Sequence, residues 1–148
     1  MGMLQEGIII VQLEHIRVRT HSDFAAMALP LGQGSGLLHW SCAAGNTNRR
    51  YEQMKVKRGR GLAGLALQIG RLLTWDAASG DAAKLHGMYR DCPVLMAEGL
   101  QAAAAVPLHS SLLPDAGLLL VGRRQPNAYS AAELLDVQTC AEALGDLL

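Results

Sequence analysis

The stretch Gly59-Arg60-Gly61-Leu62-Ala63-Gly64-Leu65-Ala66-Leu67-Gln68-Ile69-Gly70 reads as a tight glycine turn opening into a short helix. Leu62 to Ile69 are good helix formers, and Gly70-Arg71 closes the run. Glycine lets a backbone turn tightly and lets a ligand approach it, because no Cβ stands in the way. A helix start leaves its first N–H groups without intrahelical acceptors and carries a partial positive charge. The N–H groups of Leu62, Ala63 and Gly64 are therefore candidate donors to an anion, with no charged side chain required. The same spacing is that of a dinucleotide loop, which needs an early parallel βαβ unit and an acidic residue about twenty positions later. Asp81 stands at that distance, but the surrounding chain has no alternating βαβ pattern.

Upstream, Met54-Lys55-Val56-Lys57 alternates apolar and charged residues, as a half-exposed edge strand does. Gly45-Asn46-Thr47-Asn48 is a turn former. Before it, Phe24–Leu29, closed by Pro30 and the glycines Gly32, Gly34 and Gly36, and Leu37–Ala44 read as a strand hairpin. The chain opens with an amphipathic helix over about residues 3–20, in which Leu4, Ile8, Val11 and His15 recur at helical spacing and Leu13 and Ile16 widen the stripe.

Downstream, Leu72-Leu73-Thr74-Trp75 is a further strand. Asp76 to Asp91 is an irregular lid, and Pro93 begins a short helical turn that runs through Glu98 to Gly99 as its C-cap. Ala102–Leu108 and Gly117–Gly122, joined across Leu113-Pro114-Asp115-Ala116, read as a buried central hairpin. Ser130 with Glu133 forms a capping box, so a helix over about residues 130–148 ends the chain, with Leu134, Leu135, Val137, Ala141, Leu144 and Leu148 as its apolar face. The expected fold is α+β: one domain over residues 1–148, an antiparallel sheet of five or six strands with helices on both faces and a ligand pocket on one of them.

The composition agrees with a single packed domain. Of 148 residues, 50% are hydrophobic and 18% charged, which supplies a sizeable core. Thirteen Lys and Arg balance thirteen Asp and Glu, so no global field favours nucleic acid or an anionic membrane. The three cysteines, Cys42, Cys92 and Cys140, lack CxxC spacing and suggest neither a disulfide framework nor a zinc site. His15, His21, His39, His86 and His109 show no metal-ligand spacing. No targeting or membrane-spanning segment is legible, and a cytoplasmic protein is expected.

Several words of the sequence resemble the GAF domain: Gly59-Arg60-Gly61-Leu62-Ala63-Gly64, Ala97-Glu98-Gly99-Leu100-Gln101-Ala102, Ala105-Val106-Pro107-Leu108 and Gly117-Leu118-Leu119-Leu120-Val121-Gly122. The resemblance spans nearly the whole chain. Trp40, Ala44-Gly45-Asn46, Arg50-Tyr51 and Cys92-Pro93-Val94 ahead of Ala97-Glu98-Gly99-Leu100 are similar to the NreA-type nitrate receptors within that superfamily.

That likeness implies a sensor of a small anion, nitrate, that modulates a two-component histidine kinase, with no cofactor and no catalytic residue. It places Trp40 beside the pocket, as an apolar wall or an indole N–H donor. A second helix beginning at Pro93 would bring the N–H groups of Val94 and Leu95 to the same pocket. The expected ligand-binding set is thus Trp40, Leu62, Ala63, Gly64, Pro93, Val94 and Leu95. Arg60 and Arg71 are the cations whose entry would change the charge of such a pocket.

Plainer readings stand beside these. The glycines can serve close packing alone, and Trp40 can be core. Lys55, Lys57, Arg58 and Arg60, with Arg49 and Arg50, read as a solvated basic face. Cys92 is reactive only if the helix start lowers its pKa. The enzyme alternative, a free methionine sulfoxide reductase, is also a stand-alone GAF domain, but Leu62 and Ala63 stand where that family has a cysteine, and a thiol relay needs a resolving partner. Cyclic-nucleotide binding, another GAF role, needs residues that read a purine edge and a cyclic phosphate, and none is legible; a dimerisation or signalling module built on the terminal helices, unliganded or with another small ligand, is a further alternative.

Overall fold

The structure, a computed structural model, describes residues 3–78 and 87–148. Half of the expected lid, residues 79–86 with Asp81 and His86, lies outside the described residues.

A six-stranded antiparallel sheet forms the middle layer in the order β3-β2-β1-β6-β5-β4. Its strands are β1 (Phe24–Pro30), β2 (Leu37–Ala44), β3 (Lys55–Lys57), β4 (Leu73–Asp76), β5 (Ala102–Leu108) and β6 (Gly117–Arg123). The expected hairpin of β5 and β6 forms, but β1 pairs with β6, so these two strands occupy the middle. The short β3 is an edge strand, as its alternation suggests, and the basic residues on and after it are exposed. A 3-10 turn, Arg50–Gln53, follows the Gly45–Asn48 turn and has no counterpart in the sequence reading.

Helices cover both faces. On one lie α1 (Met3–Arg19) and α4 (Ala131–Leu147), which seat Ile9, Leu13, Ile16, Val137, Cys140 and Leu144 against the sheet. On the other lie α2 (Gly61–Ile69) and α3 (Pro93–Ala97), over a layer that holds Trp40, Trp75, Leu118 and Leu120. Ala103 and Ala105 of β5 face α2, and such small side chains let the helix lie close to the strand. The capping box of α4 is present: Glu133 N–H donates to Ser130 Oγ at 3.2 Å, and Ser130 N–H donates to Glu133 Oε1 at 2.8 Å.

Two helix faces differ from the sequence reading. Ile8, Val11 and His15 of α1 are exposed, whereas Ile9, Leu13 and Ile16 are buried, so the expected stripe mixed two opposite faces. In α4, Leu135 points to solvent while Cys140 takes a core position. Among the described residues, no helix is long and apolar enough to cross a membrane.

Candidate anion-binding site

The residues expected to bind a ligand converge because of three local devices. The first is a β-bulge. Across β1 and β2, Met27 pairs with Cys42 while the next residue, Ala28, pairs with Trp40, so Ser41 is extra. Side chains alternate along a strand, and one inserted residue reverses which face the following ones take. Leu38 and Trp40 therefore join the α2 layer, whereas Cys42 and Ala44 join the layer under α1 and α4. Ser41 Oγ donates to the Met27 carbonyl at 3.2 Å, which engages the bulge through its side chain.

The second device is the glycine turn. Gly59 N–H donates to the Gly64 carbonyl at 2.8 Å and Arg60 N–H donates to the Lys57 carbonyl at 3.0 Å, which folds the turn back on β3. A Cβ on Gly64 would stand 2.1 Å from the Lys57 carbonyl oxygen, so that glycine is required by packing. Its N–H is also engaged, donating to the Arg60 carbonyl at 3.2 Å. The first-turn positions of α2 are Gly61, Leu62 and Ala63, one residue earlier than the set expected from sequence.

The third device joins the two helix starts. Gly61 has φ +67°, and a Cβ there would come within 2.5 Å of the Asp91 carbonyl and 2.7 Å of the Cys92 nitrogen. The start of α2 is thereby seated on the peptide that leads into α3. Pro93 occupies the first turn of α3 on the exposed side, and Val94 and Leu95 are fully buried in the layer that holds Leu62, Ala63 and Trp40. Leu95 N–H donates to the Cys92 carbonyl at 3.0 Å. Of the expected backbone donors, Leu62, Ala63 and Val94 are thus the ones without a backbone acceptor among the described residues.

Cys92 lies at this junction. Its thiol is pushed up to about 11 because burial disfavours the thiolate; hydrogen bonds from the Ala63 and Leu95 N–H groups act the other way and are outweighed. The helix starts do not make it reactive at neutral pH. Cys42 and Cys140 sit in the opposite core layer, beyond the sheet.

Among the described residues the buried charged side chains are Glu98 and Arg123, and Arg60 and Arg71 are both exposed. The buried charge nearby is Glu98, just past α3. Its Oε1 accepts from Thr47 N–H at 2.9 Å, Thr47 Oγ1 at 3.1 Å and Arg124 Nη2 at 2.7 Å, which ties the end of α3 to the β2–β3 connection and to the residue after β6. Sequence reading missed this pair, since the partners are far apart in the chain. It also missed Trp75, whose ring stacks on Tyr89 at 5.3 Å between centroids and whose buried indole N–H has no acceptor among the described residues. A large aromatic on an edge strand was the only available signal.

No protein-family model and no curated protein matches the chain. Solved structures do. An NreA protein of Staphylococcus aureus, mutated in its nitrate binding site, is 26% identical over 88% of this chain and 93% of its own, with a TM-score of 0.72. A hypothetical protein from S. aureus is 31% identical over 81% of this chain and 95% of its own, with a TM-score of 0.65. The GAF domain of a phosphoenolpyruvate-protein phosphotransferase from Coxiella burnetii superposes with a TM-score of 0.75 at 18% identity, covering 95% of this chain and 80% of that one.

The chain has a GAF-like fold and resembles the staphylococcal NreA protein. Free methionine-R-sulfoxide reductases share the fold at 14% identity, a likeness of fold alone.

Proposed function

We propose that this protein is a sensor of a small monovalent anion, nitrate, held between the start of α2, the start of α3 and Trp40, and that its ligand state regulates a two-component histidine kinase in the cytoplasm. The observation that carries the reading is the seating of Gly61 on the Asp91–Cys92 peptide. It sets the N–H groups of Leu62, Ala63 and Val94 at neighbouring helix starts within one apolar layer. Such a cradle offers partial positive charge and no full charge. Desolvating a monovalent, delocalised anion there costs far less than desolvating phosphate, whose greater charge demands cationic compensation. The buried Trp75 indole N–H, which has no acceptor among the described residues, is a further donor in the same layer. Similarity to a protein with a nitrate binding site supports the choice of anion.

A thiol reductase is disfavoured by the distribution of sulfur. Cys92 is the lone cysteine in this layer, it is held protonated, and Cys42 and Cys140 lie on the far side of the sheet. A relay through sulfenic acid to disulfide needs an attacking thiolate and a resolving thiol in reach of each other.

Titration calorimetry with nitrate, nitrite, iodide, chloride and phosphate tests the proposal. Heat from nitrate and none from phosphate is expected; silence with every monovalent anion at millimolar concentration sinks it.

A further inference from the structure

Three buried side-chain atoms among the described residues have no hydrogen-bond partner: Trp75 Nε1, Glu98 Oε2 and Arg123 Nε. Glu98 and Arg123 are bonded through their other polar atoms. An indole has a single polar atom, a donor, so Trp75 alone of the three is left wholly unpaired. Trp75 is 6% exposed. A buried indole N–H ordinarily finds an acceptor, because leaving it bare forfeits the bond that it makes to water in the unfolded chain. Phenylalanine would fill the same place and stack equally well without that loss. A donor with no acceptor within the chain points to an acceptor from outside it.

A short series of contacts ties the ring to the junction of α2 and α3. Trp75 pairs across the sheet with Ala103, whose small side chain lies in the same layer. Tyr89 stacks on the indole, with 5.3 Å between ring centroids and 25° between ring planes. The Tyr89 carbonyl accepts from Cys92 N–H at 3.2 Å. That Cys92 nitrogen is the atom that a Cβ on Gly61 would approach to 2.7 Å. Tyr89 therefore touches the indole through its ring and the two helix starts through its backbone. Trp40 is on β2 and Trp75 on β4, four strand spacings apart, or roughly 19 Å across the sheet. The two tryptophans stand on opposite sides of the layer and do not duplicate one another.

We propose that Trp75 Nε1–H donates to the bound anion, and that this second direction of approach selects a planar oxyanion with several acceptor atoms over a halide. The inference rests on the anion-sensor reading above and adds the shape of the ligand to it. The N–H groups of Leu62 and Val94 come from the helix layer, whereas the Trp75 indole comes from the edge of the sheet. Strand and helix hold these donors in fixed directions. Nitrate has three oxygens at the corners of a triangle, so one oxygen meets the helix starts while another meets the indole. A halide is a single centre and takes the nearer set of donors alone. The stack on Tyr89 holds the indole plane in the orientation that this bond needs.

Proton–nitrogen correlation spectra and calorimetry with sodium nitrate and sodium iodide test this. The chain has two tryptophans, so the labelled protein gives two indole resonances. Trp75→Phe identifies one of them by its disappearance; should that variant fail to fold, Trp40→Phe identifies the one that stays. Nitrate added to the wild type is expected to move the Trp75 resonance downfield, as a new hydrogen bond does, and iodide to leave it in place. The wild type is expected to bind nitrate more tightly than iodide. Trp75→Phe is expected to narrow that gap, weakening nitrate by about tenfold and leaving iodide where it was. A Trp75 resonance that stays put while nitrate binds overturns the proposal and leaves the anion reading standing, and so does wild-type nitrate affinity in Trp75→Phe. Equal weakening of nitrate and iodide overturns it as well, since the indole then acts as scaffold. A wild type that binds no anion overturns both.

Discussion

Gly61 and Asp91 meet backbone to backbone: a Cβ on Gly61 would lie 2.5 Å from the Asp91 carbonyl oxygen. Neither group can yield as a flexible side chain does, so the contact fixes how close the starts of α2 and α3 come. It is the hinge pin of the proposed site, and it separates two kinds of glycine in the turn.

Gly61→Ala is expected to weaken nitrate binding by about tenfold or more, equivalent to roughly 1.4 kcal/mol or above. It combines a left-handed φ with a backbone collision. Gly70→Ala serves as its control: φ is +81° there, but the space around it is open. That change is expected to cost about 1 kcal/mol of stability through the backbone conformation alone, with affinity unchanged. Urea denaturation and calorimetry on both variants decide; equal loss of affinity in the two would show that the contact has no special part.

The buried acids predict an alkaline limit. Burial raises the Cys92 and Cys140 thiols from 9.0 to about 11, and it raises the Tyr129 hydroxyl from 10.0 to about 12. A group whose pKa is higher in the folded state holds its proton more tightly there, so its contribution is complete below the unfolded value and lost as pH rises through the folded one. Stability is therefore expected to be level up to about pH 9 and to fall between about 9 and 12, at up to roughly 1.4 kcal/mol per unit for each buried group. Unfolding free energies in urea at successive pH values read this directly. Cys92 is likewise expected to resist alkylation at neutral pH in the folded chain, and rapid labelling would contradict the burial argument.

Glu98, whose side chain is fully enclosed, pairs at 2.7 Å with the half-buried Arg124. Replacing Arg124 by Met keeps bulk but leaves a buried carboxylate short of its cation, which costs about 3–5 kcal/mol in comparable settings. Because Arg124 Nε also donates to the Glu98 carbonyl at 2.9 Å, the end of α3 is expected to loosen as well. The check is a denaturation midpoint together with nitrate affinity. Stability unchanged from the wild type would mean that the pair contributes nothing to holding α3 in place.

Much of this fold was legible from short-range chemistry. The Ser130–Glu133 box, the glycine turn, Pro93 at the start of α3 and the strand alternations each act within a few residues, and each formed where the sequence placed it. What was not legible depends on distant partners. Ile8 and Val11 are as apolar as Ile9 and Leu13, and only docking against the sheet decides which seam is inside. Gly64 looked like a donor because the first helical residue cannot be told from its neighbour without coordinates. Glu98 needed Arg124, and Gly61 needed Asp91, before either had a recognisable task.

The bulge at Ser41 was hidden for a related reason, and it yields the sharpest test of the site's architecture. The burial pattern of β2 alternates without a break from Leu37 to Ala44, and in a regular strand that alternation would put Trp40 and Cys42 on one face. The pairing shows otherwise: they lie in different core layers. Deleting Ser41 removes the extra residue, and β2 must then turn either Leu38 and Trp40 or Cys42 and Ala44 to the wrong side of the sheet. A buried Trp cannot be accommodated among the side chains under α1 and α4 without overpacking, which costs typically about 1–3 kcal/mol and often more for so large a ring. The deletion is therefore expected to abolish nitrate binding and to lower the denaturation midpoint, whereas Ser41→Ala, which keeps the residue count and loses only the hydrogen bond to Met27, is expected to cost about 1 kcal/mol and to leave binding intact. If the deletion variant bound nitrate with wild-type affinity, Trp40 would have no place in the site.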